Sequence, residues 1–491
     1  MRQHARWPGL RASGLFVLFA GLGTGQVPIR ATVDFRQHIR EWDGFGVNCV
    51  ETAQTRDYRS DQQEYGGFSL LPEQPRQQIL EMIFGPEGLK PGLLKMFLDP
   101  HHQGTGQAGK YDHQTTTRWI RYFAKQGLAK TRQRGGDLTI ITTLYGPPGW
   151  MTKQRFLRGR DLDRAFRQEC ARYMISWVNY LRTVEGLPVR YISLHNEGED
   201  YLRWPEDGGT AGEPRHDYNL YWPPEQVVDF LKFMRGMLDK EGLREVGLTP
   251  GETSNWYRFS EWGYASAIAS GPEALKNLGL ITSHGFINFQ PGRWFGDWRS
   301  LGNDLLRAKR PELHSWVTSQ SWSKMDVNFI NEMRGNIYAA KVNGIIPWAA
   351  VQRPAKWVGG DPNPGTAFRV SEDGACTVQP GYYFYKQVSR AGQPGMAVAQ
   401  VTSQDTEVGL IAFARSKTRH PDAFLVLNLA KVPKTLAVRV LGGGPSFSAY
   451  RTGEAEKYSA LGDFSLREGI LSYTAPSGSV TTFFGYKQLA P

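Results

Sequence analysis

From Trp42 to about Pro380, short apolar runs alternate with longer stretches in which apolar residues recur every three or four positions. This is the pattern of strands and helices taking turns around a parallel sheet. The strand-like runs fall at 44–50, 93–98, 138–144, 189–194, 246–249, 280–284, 313–318 and 344–348, and helical periodicity lies between them at 75–84, 118–126, 163–184, 224–241 and 329–342. Eight strands with intervening helices predict a (β/α)8 TIM barrel over residues 43–380. After Pro380 the texture changes. Runs at 408–413, 424–429 and 436–440 alternate with turns and no long helical pattern, which predicts a C-terminal β-sandwich side domain over 381–491. No internal repeat interrupts either part, so a solenoid or propeller is not expected.

The first 30 residues follow a different rule. Arg2, Arg6 and Arg11 precede an apolar run at 14–22 that has the length of a secretory h-region and is too short to span a bilayer as a helix. A signal peptide within 1–30 is therefore expected, with the mature chain secreted or periplasmic and carrying no integral membrane segment. Composition adds exclusions. Of 491 residues, 40% are hydrophobic, 21% charged and 12% aromatic, which rules out disorder, collagen and coiled coil. The formal charge of +11 is carried by scattered basic residues rather than a run, and no nucleic-acid-binding motif accompanies it, so nucleic acid is not expected as a partner. Cys49, Cys170 and Cys376 lack metal-ligand spacing, and at most one bridge among them is feasible. The chain has no G-x-G-x-x-G after a strand, no P-loop and no G-x-S-x-G, so no cofactor is expected.

Barrel enzymes place their reacting groups where strands end and the following loops begin. The fourth strand ends in Asn196-Glu197. A carboxyl there is suited to protonate a glycosidic oxygen while the neighbouring amide holds a sugar hydroxyl. As a bare dipeptide the pair is equally at home in a turn or a helix start; the strand before it favours chemistry. The third strand runs into Tyr145 and then Pro147-Pro148-Gly149-Trp150, where two prolines restrict the backbone and fix an indole. Trp150 is either a sugar platform or a cap on the barrel core. Many other rim positions are aromatic or His, among them His284 and Trp348, in keeping with a carbohydrate cleft.

Taken together, Trp42-Asp-Gly-Phe-Gly46, Pro147 to Met151, Asn196-Glu197, Ser283-His-Gly285, Pro380-Gly-Tyr-Tyr383 and Ser389-Arg390 resemble family 30 glycoside hydrolases. The resemblance covers most of the chain after the leader. It implies a barrel with a side β-domain to which residues 31–42 contribute a strand, retaining hydrolysis of a β-linked glycan, Glu197 as acid/base and Asn196 as its companion. It also implies a nucleophilic Glu after the seventh strand, where this chain reads Trp316-Val-Thr-Ser319-Gln320. Neither Ser319 nor Gln320 supplies a carboxylate, so the usual glycosyl-ester intermediate is not available there. Among the other rim carboxylates, Glu51, Asp99, Glu199, Asp200, Glu252 and Asp326, the second catalytic group is expected to be Glu252 ahead of Asp326, because strands four and five are neighbours. Either residue has an ordinary alternative as a loop cap or ion-pair member. The rival expectation is a carbohydrate-binding pseudoenzyme lacking its nucleophile.

Overall fold

A computed structural model describes residues 27–49, 67–102, 106–209, 218–286, 298–322, 324–353, 365–371 and 373–486. Residues 1–26 of the expected leader and Glu51 lie outside them, whereas Ile29 and Arg30, within the leader's expected bounds, belong to a strand. Eight parallel strands form the barrel: β2 (Gly44–Asn48), β3 (Leu93–Leu98), β4 (Thr139–Leu144), β5 (Val189–Ser193), β6 (Gly247–Thr249), β7 (Ile281–Ser283), β8 (Ser315–Gln320) and β9 (Gly344–Pro347), preceded by β1 (Ile29–Glu41). Their order, β6-β5-β4-β3-β2-β9-β8-β7, leaves β6 and β7 at the seam, which closes through bridges Leu248 to Leu278 and Thr253 to Ser283. Each of the eight expected runs thus becomes a barrel strand. Residues of both barrel-facing and helix-facing positions are buried, which is why the strands read as continuous apolar runs rather than alternating ones.

Outside the barrel run α1 (Glu73–Phe84), α2 (Arg118–Gln133), α3 (Arg167–Thr183), α4 (Pro224–Lys240), the short α5 (Trp256–Glu261), α6 (Tyr264–Ser270) and α7 (Pro272–Asn277), then α8 (Leu301–Arg307) and α9 (Val327–Tyr338). Inside, side chains stack in layers. The lowest is apolar, built from Leu93, Ile141, Leu280, Trp316 and Ile346 with Tyr191 against them. One step up each strand the layer turns polar, with Lys95, Thr143, Thr249 and Thr282 all buried. Phe97, Tyr145 and Trp348 stand above it. The polar layer is the floor on which the site is built.

A small sheet of β10 (Val351–Gln352), β11 (Phe368–Val370) and β12 (Cys376–Val378) leads out of the barrel into α10 (Pro380–Ala391). That helix corrects the expectation of strands alone after Pro380. Pro380 sits in its first turn, where the missing N–H costs nothing, and Tyr382, Tyr385, Val388 and Ala391 put a buried stripe on one face. The side domain follows as β13 (Ala397–Ser403), β14 (Val408–Ala414), β15 (Ala423–Asn428), β16 (Lys434–Leu441), β17 (Ser446–Thr452), β18 (Ser459–Ser465), β19 (Ile470–Ala475) and β20 (Val480–Gly485). With β1 they form one mixed sheet, ordered β18-β17-β20-β15-β14-β13-β1-β16-β19. β19 and β20 lie far apart in that order, yet Tyr473 and Phe483 meet edge to face at 5.2 Å, so the sheet curls over its own core. β1 sits inside this sheet, antiparallel to β13 and parallel to β16.

Candidate active site

The site assembles at the carboxyl ends of β3, β4, β5, β6, β7 and β8. Beyond the formal ends of β5 and β6 the two chains keep pairing: the Glu252 N–H donates to His195 O at 2.9 Å and the Glu197 N–H donates to Glu252 O at 2.7 Å. This brings the two glutamates onto adjacent rungs. Glu197 takes a left-handed backbone, with φ of 42°, a conformation that costs a non-glycine residue free energy and is characteristic of functional turns. Gly251 makes the approach feasible. Its φ is 98°, and a Cβ there would stand 2.0 Å from the His195 ring.

The side chains join in one chain of hydrogen bonds. His284, at the end of β7, places Nδ1 2.7 Å from Glu197 Oε1 and Nε2 3.1 Å from Glu252 Oε2. A single imidazole therefore bridges the two carboxylates and occupies the space between their bonded oxygens. Glu252 Oε2 also takes an ion pair from Lys95 Nζ, while Oε1 accepts from the Thr143 hydroxyl at 2.6 Å. Lys95 Nζ continues to Ser319 Oγ at 3.1 Å. On the open side, Arg203 donates to Glu197 Oε2 at 2.9 Å. The Glu252 and Lys95 side chains are 0% exposed and that of Glu197 is 16% exposed, so Glu197 is the carboxylate nearest the solvent.

Charge follows from this geometry. Burial works to raise both carboxyls, but Arg203 and His284 overcome it at Glu197 and hold that group well below the ordinary carboxylate range. At Glu252 burial is likewise overcome, by Lys95 and His284, and the group is lowered to about 2. Burial opposes a charged imidazole at His284, yet bonds to Glu197 and Glu252 raise it above its usual value. Burial lowers Lys95, against the pull of Glu252. The resting site is thus two carboxylates spanned by an imidazolium, with one cation on either flank.

Other expected residues fall on either side of this core. The Asn196 amide donates to Asn219 Oδ1 at 3.3 Å, and among the described residues its own buried carbonyl oxygen has no hydrogen-bond partner. Ser319 faces the barrel interior because the β8–β9 register shifts between Val317 and Gln320. Gln320 turns the other way, donating to Phe329 O at 3.2 Å and facing Asn336 on α9, away from the cleft. Lys95 Nζ lies 4.6 Å from the Phe97 ring, whose edge contacts Tyr145 at 5.2 Å and Trp348 at 6.0 Å; these rings wall the β3–β9 side. Trp150 lies half-buried against Phe166, 5.1 Å between rings. Asp326 caps α9 by accepting from the Asn328 N–H at 2.8 Å. Glu199 is buried under Ser254 and Arg258, and Asp99 is closed in beside His101.

Sequence reasoning did not find Lys95, Thr143 or Arg203. Lys95 left a trace as the charged residue inside the apolar run Leu93-Leu-Lys-Met-Phe-Leu98. A buried lysine in a strand requires a carboxylate partner, so it also pointed to a second inward acid.

No protein-family model and no curated protein matches the sequence. Solved structures do. The chain is similar to a GH30 endoxylanase from Clostridium papyrosolvens C71, at 17% identity over 93% of this chain and 99% of that one, with a TM-score of 0.66. GH30 xylanase C from Talaromyces cellulolyticus matches at 16% identity over 93% and 100%, with a TM-score of 0.68. An endo-β-1,6-glucanase matches at 16% identity over 94% of each chain, with a TM-score of 0.69. These likenesses span both parts of the molecule and establish the barrel-plus-side-domain fold.

Proposed function

We propose that this protein is an exported glycoside hydrolase acting on a β-linked glycan, with Glu197 as the acid. The observation that carries this reading is the Glu197–His284–Glu252 chain at the carboxyl ends of barrel strands, beside an aromatic wall. The likeness to the GH30 xylanase and endo-β-1,6-glucanase structures supports it. Glu197 is ionised at rest, so it must gain a proton before it can protonate a leaving oxygen. The bond from His284 Nδ1 is the route for one: as charge develops on the leaving oxygen, transfer along 2.7 Å lets Glu197 pass a proton on and leaves a neutral imidazole still donating to Glu252.

Glu252 is the second carboxylate. Its Oε2 is taken by two cationic donors, whereas among the described residues Oε1 accepts from Thr143 alone and keeps a lone pair for a water. With Ser319 in place of a carboxylate at the β8 end, no glycosyl ester can form there, and direct attack by water with inversion is the route proposed. Asn196 offers its unpartnered carbonyl oxygen to a substrate hydroxyl. Export rests on the basic and apolar leader alone.

The rival reading, binding without cleavage, is favoured by one observation, the complete burial of Glu252 under Lys95, Thr143 and His284. Incubation with a β-glycan panel, with new reducing ends measured and product anomers followed by NMR, separates the two. Reducing ends of inverted configuration are the expected result. Binding without new ends would establish the rival.

A further inference from the structure

Away from the cleft, at the opposite end of the barrel, four cations converge where the barrel meets the side domain. Lys90 lies in the loop before β3, Arg134 follows α2, and Lys386 and Arg390 lie on α10. One carboxylate accompanies them, Glu87, which is 86% exposed and 3.5 Å from Arg390. No carboxylate or hydrogen-bond acceptor meets either lysine ammonium, among the described residues. Lys386 Nζ sits 4.6 Å from the Tyr458 ring and the Arg390 guanidinium 5.7 Å from the same ring. Among the described residues the Tyr458 hydroxyl, beside Arg390, is buried without a hydrogen-bond partner within normal distance, as is Arg134 Nε.

Such an arrangement works against the fold. Half-buried like charges repel, and donors without acceptors lose hydration for nothing. Burial pushes Lys90 down to about 8, and the charges of Arg390, Arg134 and Lys386 push the same way against the pull of Glu87. Two of the participants also hold unfavourable backbones: Lys90 has φ of 56° directly before Pro91, and Tyr458 has φ of 57°. A group that paired with all these donors would offset the repulsion and the desolvation together.

We propose that Lys90, Arg134, Lys386 and Arg390, with the Tyr458 hydroxyl, form a binding site for a phosphate- or sulfate-type oxyanion that ties the barrel to the side domain. Arg134 and Arg390 are anchored on backbone carbonyls, Pro91 O at 2.7 Å and Pro86 O at 3.1 Å, leaving the lysine ammoniums to meet the anion. A compact anion with several acceptor oxygens suits a mixed set of ammonium, guanidinium and phenol donors.

The test uses the full chain. Inorganic phosphate should raise the melting temperature saturably above sodium chloride at matched ionic strength. The Lys90→Gln/Lys386→Gln variant should melt higher than the parent without phosphate and bind phosphate at least about tenfold more weakly. Glu87→Gln, at an exposed position, should bind it more tightly. Co-sedimentation with phosphatidylcholine vesicles, with and without phosphatidylglycerol, identifies the source: uptake only onto the anionic vesicles, lost in the double variant, would make the oxyanion a lipid headgroup. A phosphate response unchanged in the double variant, or no response to phosphate and none to the anionic vesicles, would overturn the proposal.

Discussion

Lys95 on β3 and Glu252 beyond β6 form an ion pair across the barrel interior, with neither side chain exposed to solvent. Such a pair gains little over an apolar pair of similar shape, but removing one partner leaves a bare charge in a dry site. Lys95→Met should therefore cost about 3–5 kcal/mol of stability, and Lys95→Met combined with Glu252→Gln should recover most of that loss. Denaturant melts of the two variants check this. Equal destabilisation by both would mean that the lysine acts through packing alone.

Glu197→Gln keeps the shape of the residue nearest the cleft and removes its titratable proton. The bonds from Arg203 and His284 both reach its carboxylate oxygens, and the amide retains an acceptor for one of them. The fold should persist, and glycan hydrolysis should fall by about 100-fold to 10,000-fold, the usual worth of a positioned general acid. Near-normal release of reducing ends by this variant would take Glu197 out of the chemistry.

The same network predicts how stability follows pH. Glu197 and Glu252 are depressed in the folded protein, Glu252 to about 2 from an ordinary 4.5, so their contribution is complete above about 4.5 and lost as pH falls toward 2. His284 is raised, so its contribution is complete below about 6.5 and lost as pH rises through its folded value. The contribution of this network should therefore be flattest between about 4.5 and 6.5, on top of a rise toward 6.5 from His113 and His195, which burial lowers to about 3. His284→Gln should remove the fall on the alkaline side and leave the acid side in place. A parent curve that keeps rising above neutral pH would contradict the imidazolium bridge.

Much of the fold was legible because each barrel strand carries its own local signal. Apolar runs such as 93–98 and 138–144 are bounded by turn residues and separated by helical periodicity, so no long-range information was needed to place them. The helix 380–391 carries the same kind of stripe, Tyr382, Tyr385, Val388 and Ala391, over twelve residues as in α1, but its Pro-Gly start and the aromatic run Tyr382 to Tyr385 resemble a turn followed by a strand. The site divides the same way. Glu197, Asn196 and Glu252 were marked by strand ends, whereas Arg203 lies in the short helix Tyr201–Arg203 in a loop, where an arginine carries no periodic signal. The inward turn of Ser319 depends on a register shift in pairing with β9, which a single strand's sequence does not encode.

Removing residues 380–491 should leave the barrel insoluble or unfolded. β1 is paired on both sides with strands of the side domain, β13 and β16, so truncation strips both of its hydrogen-bonded edges at once. Trp42 and Phe45, at the entry to the barrel, would also lose Phe413, which lies 5.2 and 5.9 Å from them. Solubility and circular dichroism of the truncated chain decide this, and a soluble, cooperatively melting barrel would count against it.

Moving the carboxylate from β6 to β8 offers the sharpest test of how the site is wired. Ser319 Oγ stands 3.1 Å from Lys95 Nζ, so a glutamate at 319 would meet the same buried ammonium that now serves Glu252. Two carboxylates around one lysine would repel, which makes Ser319→Glu alone destabilising. Ser319→Glu with Glu252→Gln restores one anion to one cation and places it at the end of the seventh barrel strand, where a glycosyl ester can form. That double variant should fold, and its products should retain anomeric configuration while the parent's invert, a difference that NMR of the fresh hydrolysate reads directly. Gln320→Glu is the control: its side chain faces the Phe329 carbonyl and Asn336 instead of the cleft, so it should lose stability and gain no activity. Gain of retaining activity at 320 but not at 319 would show that the inward register lies one residue further along the strand.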